Sequence, residues 1–129
     1  MPHVKEFVFG TLTVNHNFVI AEMNEGITFS IIENRQILNY LENVFSGRPY
    51  GYISHRVNSY SIDPTVYLDS SQNSKMRAIA IVSDRVDSSA LTLERQFFTQ
   101  PIETFQNLQD AAKWMQDLLS KEKALNSNQ

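Results

Sequence analysis

"MRAIAIV", residues Met76 to Val82, is the stretch that decides the fold class of this sequence. After Arg77 the run contains only apolar residues, whereas a strand with one face in water alternates apolar and polar residues. A short, continuous apolar run is typical of a strand that is covered on both faces, as in parallel sheets. The stretch therefore predicts a central parallel strand, buried on both faces over Ala78 to Val82.

Two other short runs resemble this strand. "PYGYIS", residues 49–54, is apolar and aromatic, and "IETF", Ile102 to Phe105, is a short final strand. Helical patterns separate these runs, so that each strand is joined to the next by a crossover helix. Because such crossovers are right-handed, the arrangement predicts one mostly parallel sheet with helices packed on it.

The first helix has clear signals at both ends. Ser30 and Glu33 have the spacing of a capping box, and Gly47 suits the position just past a helix end. Between them, apolar residues recur at helical intervals: Ile37, Leu38, Leu41, Val44 and Phe45.

Three further helices are predicted. Asp63 followed by Pro64 places a capping carboxylate before a residue favoured at the first helical position, which predicts a short helix from Pro64 to Ser70. A third helix follows Ser83 or Asp84 and ends before Pro101, with the apolar positions Val86, Ala90, Leu93 and Phe97. Asn107 can cap the last helix, whose inner face carries Leu108, Ala111, Ala112, Met115, Leu118 and Leu119. Trp114 lies outside this apolar stripe, so it is either a flank of the core or an exposed contact.

The N-terminal part is β-rich. "KEFVFGTLTV", Lys5 to Val14, predicts one strand that bulges at Gly10, and "FVIAEM", Phe18 to Met23, predicts a second. The turn-tolerant "NHN" between them makes the pair a hairpin. The predicted order is ββαβαβαβα in one α/β domain of residues 1–120, followed by a frayed tail of residues 121–129.

Composition narrows the functional classes. The 129 residues include no cysteine, which excludes disulfides, thiolate zinc sites and cysteine nucleophiles. A net charge of −3 without a basic stripe disfavours nucleic acid and polybasic membrane binding. No segment has the apolar length of a signal peptide or a membrane span, so we expect a soluble, cytoplasmic protein. No glycine motif indicates a nucleotide, and we expect no cofactor.

The predicted order of elements is that of SpoIIAA-like domains, the group that includes the STAS domains of anti-sigma-factor antagonists. "FQNLQDAAKWM", Phe105 to Met115, resembles the C-terminal signature of the bacterial SpoIIAA-like family. "YISHRVNSYSIDPTVY", Tyr52 to Tyr67, is similar in position to the third strand, loop and short second helix of that fold. The resemblance covers nearly the whole chain and implies a mostly parallel sheet and a regulatory, non-enzymatic role.

The loop within the second stretch is the predicted site. In the antagonists it ends in Asp-Ser-Ser-Gly, one serine of which is phosphorylated, whereas this chain has Ser61, Ile62, Asp63 and Pro64. The phosphoswitch therefore does not carry over, and Asp63 is either a helix cap or a carboxylate that imitates a phosphoserine. The loop still follows a strand at the edge where open α/β sheets bind ligands. The predicted partner-binding or ligand-binding residues are His55, Arg56, Asn58, Ser59, Tyr60 and Asp63.

An enzymatic interpretation is disfavoured, and no catalytic residue is predicted. A hydrolase would use Ser54 or Ser59 with His55 and Asp63, but adjacent strand residues such as Ser54 and His55 point to opposite faces. The histidines His3, His16 and His55 share no motif with other ligand types, so no metal site is predicted.

Two functional classes remain open. The first is a protein-interaction module that recognises its partner through the loop of residues 55–63. The second is a carrier of a small apolar ligand or lipid, since some SpoIIAA-like proteins resemble the SEC14 fold; the orientation of Tyr50, Tyr52, Phe97 and Phe98 would distinguish the two. A homodimer through the first strand, if that strand lies at the sheet edge, is a further prediction.

Overall fold

A computed structural model describes residues 3–84 and 92–127 of the chain. The elements in chain order are β1 (His3–Phe7), β2 (Gly10–Val14), β3 (Phe18–Met23), β4 (Thr28–Phe29), α1 (Ile31–Phe45), β5 (Tyr50–His55), β6 (Ser61–Ile62), α2 (Thr65–Ser71), β7 (Met76–Val82), α3 (Thr92–Phe97), β8 (Ile102–Phe105) and α4 (Leu108–Ser127).

Six strands form the main sheet, in the order β1-β2-β3-β5-β7-β8. β1, β2 and β3 are an antiparallel meander, and β3, β5, β7 and β8 run parallel to one another. A separate two-stranded sheet joins β4 to β6 in parallel. The predicted α/β class with a mostly parallel sheet and crossover helices is therefore confirmed.

Helices cover both faces of the sheet, and two hydrophobic cores result. On the face covered by α1 and α2, hereafter the α1 face, Ile79 and Ile81 of β7 pack with Ile37 and Leu41 of α1. On the opposite face, hereafter the α4 face, the core contains Ile53, Ala78, Ala80, Val82, Ala111, Met115 and Leu119. The prediction of a central strand buried on both faces is confirmed, because every residue from Ala78 to Val82 is buried.

The caps that the sequence predicts for α1 are present. Ser30 Oγ accepts a hydrogen bond from the amide of Ile32, and Glu33 Oε1 accepts one from the amide of Ser30 at 2.8 Å. The Ser30 hydroxyl also donates to Glu33 Oε1, at 2.6 Å, and this bond, followed by that from the Ser30 amide, lowers the pKa of Glu33. The helix ends at Ser46 and Gly47, which both have a positive φ.

The last helix is longer than expected. Asn107 Oδ1 accepts from the amide of Asp110, as predicted for a cap, and Trp114 packs on Phe105 beside the core, with ring centroids 5.5 Å apart. α4 is described as far as Ser127, and the fraying expected for residues 121–129 stays a prediction. Arg77 donates two hydrogen bonds to Glu122, at 3.2 and 3.1 Å, and these tie the extra turns to β7. The domain boundary at residue 120 stays a prediction.

The first predicted strand is in fact two strands. Val8 and Phe9 form a tight turn, and Gly10 is the first residue of β2 rather than a bulge. Phe7 stacks on Phe9 across this turn, with ring centroids 5.0 Å apart. Asn24 donates from its side chain to the carbonyl of Val8 at 3.0 Å. Contacts that are distant in sequence therefore stabilise a turn that lacks the usual turn residues.

The predicted third helix is only partly described. Val86 and Ala90 lie outside the described residues, and the described part of this helix is α3, Thr92–Phe97. Phe98, just after α3, is buried in the core of the α1 face, and so is Tyr50, which stacks on Phe45.

Candidate functional site

The candidate site lies at the edge of the sheet where the parallel strands end. β5 is followed by the loop of residues 56–60, hereafter the recognition loop, β7 by Ser83 and Asp84, and β8 by Gln106 and Asn107. Two open clefts, of about 330 and 410 Å³, lie on either side of Arg56 and Val57. Arg56 and Val57, together with Ser83 and Asp84, line both clefts, and we call this part of the recognition loop the ridge.

The recognition loop is held to the end of β7 and to residues 23–26 by hydrogen bonds of its backbone and of the Asn58 side chain. The amide of Arg56 donates to the carbonyl of Val82 at 2.9 Å, which holds the loop to the end of β7. The amide of Ser59 donates to Glu25 Oε2 at 2.8 Å, and the carbonyl of Ser59 accepts from Gly26 at 2.7 Å. The side chain of Asn58 donates to the carbonyl of Met23 at 3.0 Å.

Arg56 is turned into the molecule. Its Nη2 donates to the hydroxyl of Tyr67 at 2.8 Å. Burial raises the pKa of Tyr67 to about 12, although the charge of Arg56 acts in the opposite direction. Burial disfavours the charged form of Arg56, but Tyr67, Tyr60 and Glu94 together raise its pKa. Within the described residues, Arg56 Nε and Glu94 Oε2 are buried and make no hydrogen bond.

A small cavity of about 30 Å³ lies beneath the recognition loop, on the α1 face. Its lining includes Tyr52, Ser54 and Tyr60, and the hydroxyls of Ser54 and Tyr60 are 3.4 Å apart. Burial raises the pKa of Tyr52, so its hydroxyl is protonated at neutral pH. The rest of the lining is mainly apolar and includes Met23, Phe29 and Ile79.

His55 lies on the other face of β5, away from Ser54. Its Nδ1 is 2.9 Å from Glu22 Oε1, and because a carboxylate only accepts, Nδ1 carries the proton of this bond. Ser54 has Tyr60 as its partner instead. The Ser and His of the hydrolase interpretation therefore point to opposite faces, as the strand geometry predicts.

The side chain of Asp63 accepts its hydrogen bonds at the start of α2. Its Oδ1 accepts hydrogen bonds from the amide of Thr65 at 3.0 Å and from the Thr65 hydroxyl at 2.8 Å. The bond from the Thr65 amide, followed by that from its hydroxyl, lowers the pKa of Asp63. The predicted capping role is thus present, and it accounts for the carboxylate without a phosphoserine-like role.

Comparison with known proteins bears on the fold. No family model matches the sequence, and no curated protein is significantly similar to it. Among solved structures, the chain is similar to an uncharacterized protein of the DUF3478 family with a SpoIIAA-like fold from Shewanella loihica PV-4. The TM-score is 0.54 with 11% sequence identity, and the match covers 89% of this chain and 92% of the other. This chain has a SpoIIAA-like fold.

The SpoIIAA-like fold brings all six predicted site residues to one edge of the sheet, but their side chains make different contacts there. The side chains of Arg56 and Tyr60 point inward, His55 and Asn58 bind neighbouring segments, and Asp63 caps α2. Ser59 is exposed at the surface of the loop.

Sequence reasoning missed the most exposed apolar side chain of the loop. Val57 is 57% exposed at the top of the ridge, and no pattern distinguishes one valine in a polar loop. It also missed Tyr67 and Glu94, the neighbours of Arg56. Tyr67 could have been found, because it lies one helical turn after Asp63 and Pro64 and so belongs to the first turns of α2.

Within residues 3–84 and 92–127, no three His, Asp or Glu side chains are grouped closely enough to hold a metal ion. None of the helices described is both long enough and apolar enough to span a bilayer.

Proposed function

We propose that this protein is a non-enzymatic interaction module that recognises a protein partner through the recognition loop and the residues around it. The observation that carries the proposal is the exposure of Val57 on a loop whose backbone is fixed by the bonds to Val82, Glu25 and Gly26. An apolar side chain on a rigid ridge has little conformational entropy to lose on binding, which favours recognition by contact.

The surroundings of Val57 support a protein partner. Asn58, Ser59, Asp84 and Asn107 are exposed around it, so that an apolar centre has a polar rim. Interfaces between proteins commonly have this arrangement, in which the rim excludes water from a buried central contact. The two open clefts provide room for side chains of the partner on each side of the ridge.

The carrier alternative has less support. Pockets that bind small molecules typically enclose about 300–1,000 Å³. The cavity under the recognition loop is about 30 Å³, and the larger clefts beside it are open to solvent. Of the aromatic residues that a carrier could use, Tyr50 and Phe98 are packed in the core, Phe97 is partly buried against it and Tyr52 borders the small cavity.

Site-specific photo-crosslinking tests the proposal. A photoreactive amino acid replaces Ser59 in cells that naturally make the protein, and a matched variant carries it at Ser120, an exposed position on α4. We expect protein adducts from position 59 that are absent from position 120. Adding Val57→Asp should remove these adducts, whereas adding Leu125→Asp should not, because Leu125 is exposed near the end of α4.

Other outcomes would contradict the proposal. Adducts that survive Val57→Asp would place recognition elsewhere. An apolar ligand that co-purifies in native mass spectrometry would favour the carrier. An esterase or phosphatase activity that disappears in Ser54→Ala or His55→Ala would indicate an enzyme.

A further inference from the structure

β1 is an edge strand of the main sheet, on the side opposite to β8. Within residues 3–84 and 92–127, β1 pairs only with β2. Val4 in β1 is 56% exposed, and Val8, in the turn that follows, is 98% exposed. An open edge beside exposed apolar side chains is the arrangement to which another strand can be added.

The register of the meander fixes which backbone groups of β1 are available. Phe7 pairs with Gly10 across a two-residue turn, and such a pair is hydrogen-bonded. Bonded and non-bonded pairs alternate along the ladder, so the amide and carbonyl groups of His3, Lys5 and Phe7 point toward β2. Those of Val4 and Glu6 therefore point away from the sheet.

Two bonds elsewhere in the meander support this alternation. The amide of Asn15 donates to the carbonyl of Phe18, and the carbonyl of Phe9 accepts from the amide of Asn24. The amide of Asn15 and the carbonyl of Phe9 therefore point toward β3. Because alternate residues of β2 bond to opposite neighbours, the even-numbered residues Gly10, Leu12 and Val14 bond to β1.

The side chains of β1 carry charges of alternating sign on alternating faces. Lys5 lies on the α1 face, with Nζ 5.7 Å from the ring centre of Phe7 and 5.6 Å from that of Tyr40. Val4 and Glu6 lie on the other face and are exposed. A strand added at this edge would therefore meet a basic side chain on one face and an acidic side chain on the other.

These charges disfavour a second copy of the chain as the added strand. A symmetric antiparallel pair is centred on one residue, which then lies opposite itself. Centring on Lys5 sets two lysines together, centring on Glu6 sets two glutamates together, and centring on Val4 sets His3 opposite Lys5, so none of these registers pairs Lys5 with Glu6. Like charges directly opposite one another destabilise strand pairing.

We propose that the β1 edge binds an extended segment of another protein as an antiparallel strand. The segment has Lys or Arg opposite Glu6, Asp or Glu opposite Lys5, and an apolar residue opposite Val4. Read from its N-terminus, its core is basic, acidic, apolar. Backbone bonds to Val4 and Glu6 provide the attachment, and the two charge pairs select the sequence. This surface is separate from the recognition loop and independent of the proposed function.

The test uses a peptide of about nine residues with Thr-Lys-Glu-Val at its centre. We expect it to bind with a Kd below about 1 mM and to shift the NMR signals of the Val4 and Glu6 amides while leaving those of α4 unchanged. The swapped peptide, with Thr-Glu-Lys-Val, should bind about tenfold more weakly because both charge pairs become repulsive. The unaltered protein should prefer Thr-Lys-Glu-Val to Thr-Glu-Glu-Val, and the variant Glu6→Lys, at an exposed residue, should prefer Thr-Glu-Glu-Val.

N-methylation of the peptide is the matched control for strand geometry. A methyl group on the Lys amide, which faces β1, should abolish binding, whereas one on the Glu amide, which faces away, should be tolerated. The proposal is overturned if about 1 mM peptide leaves the β1 signals unchanged. It is also overturned if the Thr-Lys-Glu-Val and Thr-Glu-Lys-Val peptides bind equally. A dimer in sedimentation whose formation shifts the NMR signals of Val4 and Glu6 would overturn it as well.

Discussion

The two faces of β5 are built in opposite ways. On the α4 face, Gly51 lets Met115 pack so closely that a Cβ at residue 51 would overlap the Met115 side chain, and Ile53 beside it is fully buried. On the α1 face, the alternate residues Tyr52 and Ser54 border a small cavity, and their neighbours include the hydroxyl of Tyr60 and the guanidinium of Arg56.

One face of β5 therefore serves mainly the stability of the fold, and the other supports the recognition loop. The α4 face is apolar and closely packed, so its side chains mainly determine the free energy of unfolding. The α1 face places hydrogen-bonding groups beneath the recognition loop, where an unmet bond is costly and a satisfied one holds the loop in place. Substitutions on the two faces should therefore have different consequences.

The largest expected effect is on the α4 face. Met115→Ala should lower the free energy of unfolding by about 2–5 kcal/mol, because Met115 is fully buried and its loss leaves a cavity. Gly51→Ala should partly fill that cavity, so the double variant should be more stable than Met115→Ala alone, as measured by urea denaturation. If the losses of stability from Met115→Ala and Gly51→Ala simply added in the double variant, the packing would not depend on the close contact between these two residues.

A smaller effect is expected on the α1 face. Tyr67→Phe removes the acceptor for Arg56 Nη2 and should lower the free energy of unfolding by about 1–3 kcal/mol, because a partly buried cationic donor loses this hydrogen bond. Tyr40→Phe is the matched control, since Tyr40 contributes ring contacts to Phe7 and Lys5. It should change stability by less than about 0.5 kcal/mol. Equal losses of stability from Tyr67→Phe and Tyr40→Phe would show that the hydrogen bond between Arg56 and Tyr67 does not stabilise the fold.

The smallest effect concerns the start of α2. The folded-state pKa of Asp63 is lowered by the bonds from Thr65, so its stabilising contribution is present above the unfolded-state pKa and is lost as pH falls through the folded-state value. Asp63→Ala should therefore lower the melting temperature at neutral pH, and the difference from the unaltered protein should shrink at about pH 3. Ser61→Ala, at an exposed neighbour, is the control; a pH-independent difference for Asp63→Ala would contradict the capping role.

Much of the fold could be predicted from the sequence, because local signals and the global arrangement agree. The apolar run from Ala78 to Val82 identifies the buried strand, and Ser30 with Glu33 and Asn107 identify helix starts by capping chemistry. The Val8–Phe9 turn could not be found in this way. It contains no Gly, Pro or Asn, and it depends on contacts of Phe9 with Phe29 and of Val8 with Asn24.

The candidate site was predictable in position but not in orientation. The carboxyl end of a parallel strand is a general binding edge, which is why the loop after His55 could be selected. Polarity then favoured Arg56 and Tyr60 as surface contacts. In the folded chain Tyr67 draws the guanidinium inward, and the exposed side chain is the apolar Val57. Substituting Arg56 or Tyr60 would therefore disturb the loop itself rather than test recognition alone.

The central claim is that the recognition loop is held rigid before any partner binds. Nitrogen-15 relaxation of the free protein tests it most directly, at the amides of Arg56 and Ser59 in the loop and of Asp63 after it, which donate to Val82, Glu25 and Phe29. We expect order parameters of about 0.85 at these three amides, equal to those of β5 and β7. Values below about 0.6 in the loop, with rigid strands on either side, would contradict the claim.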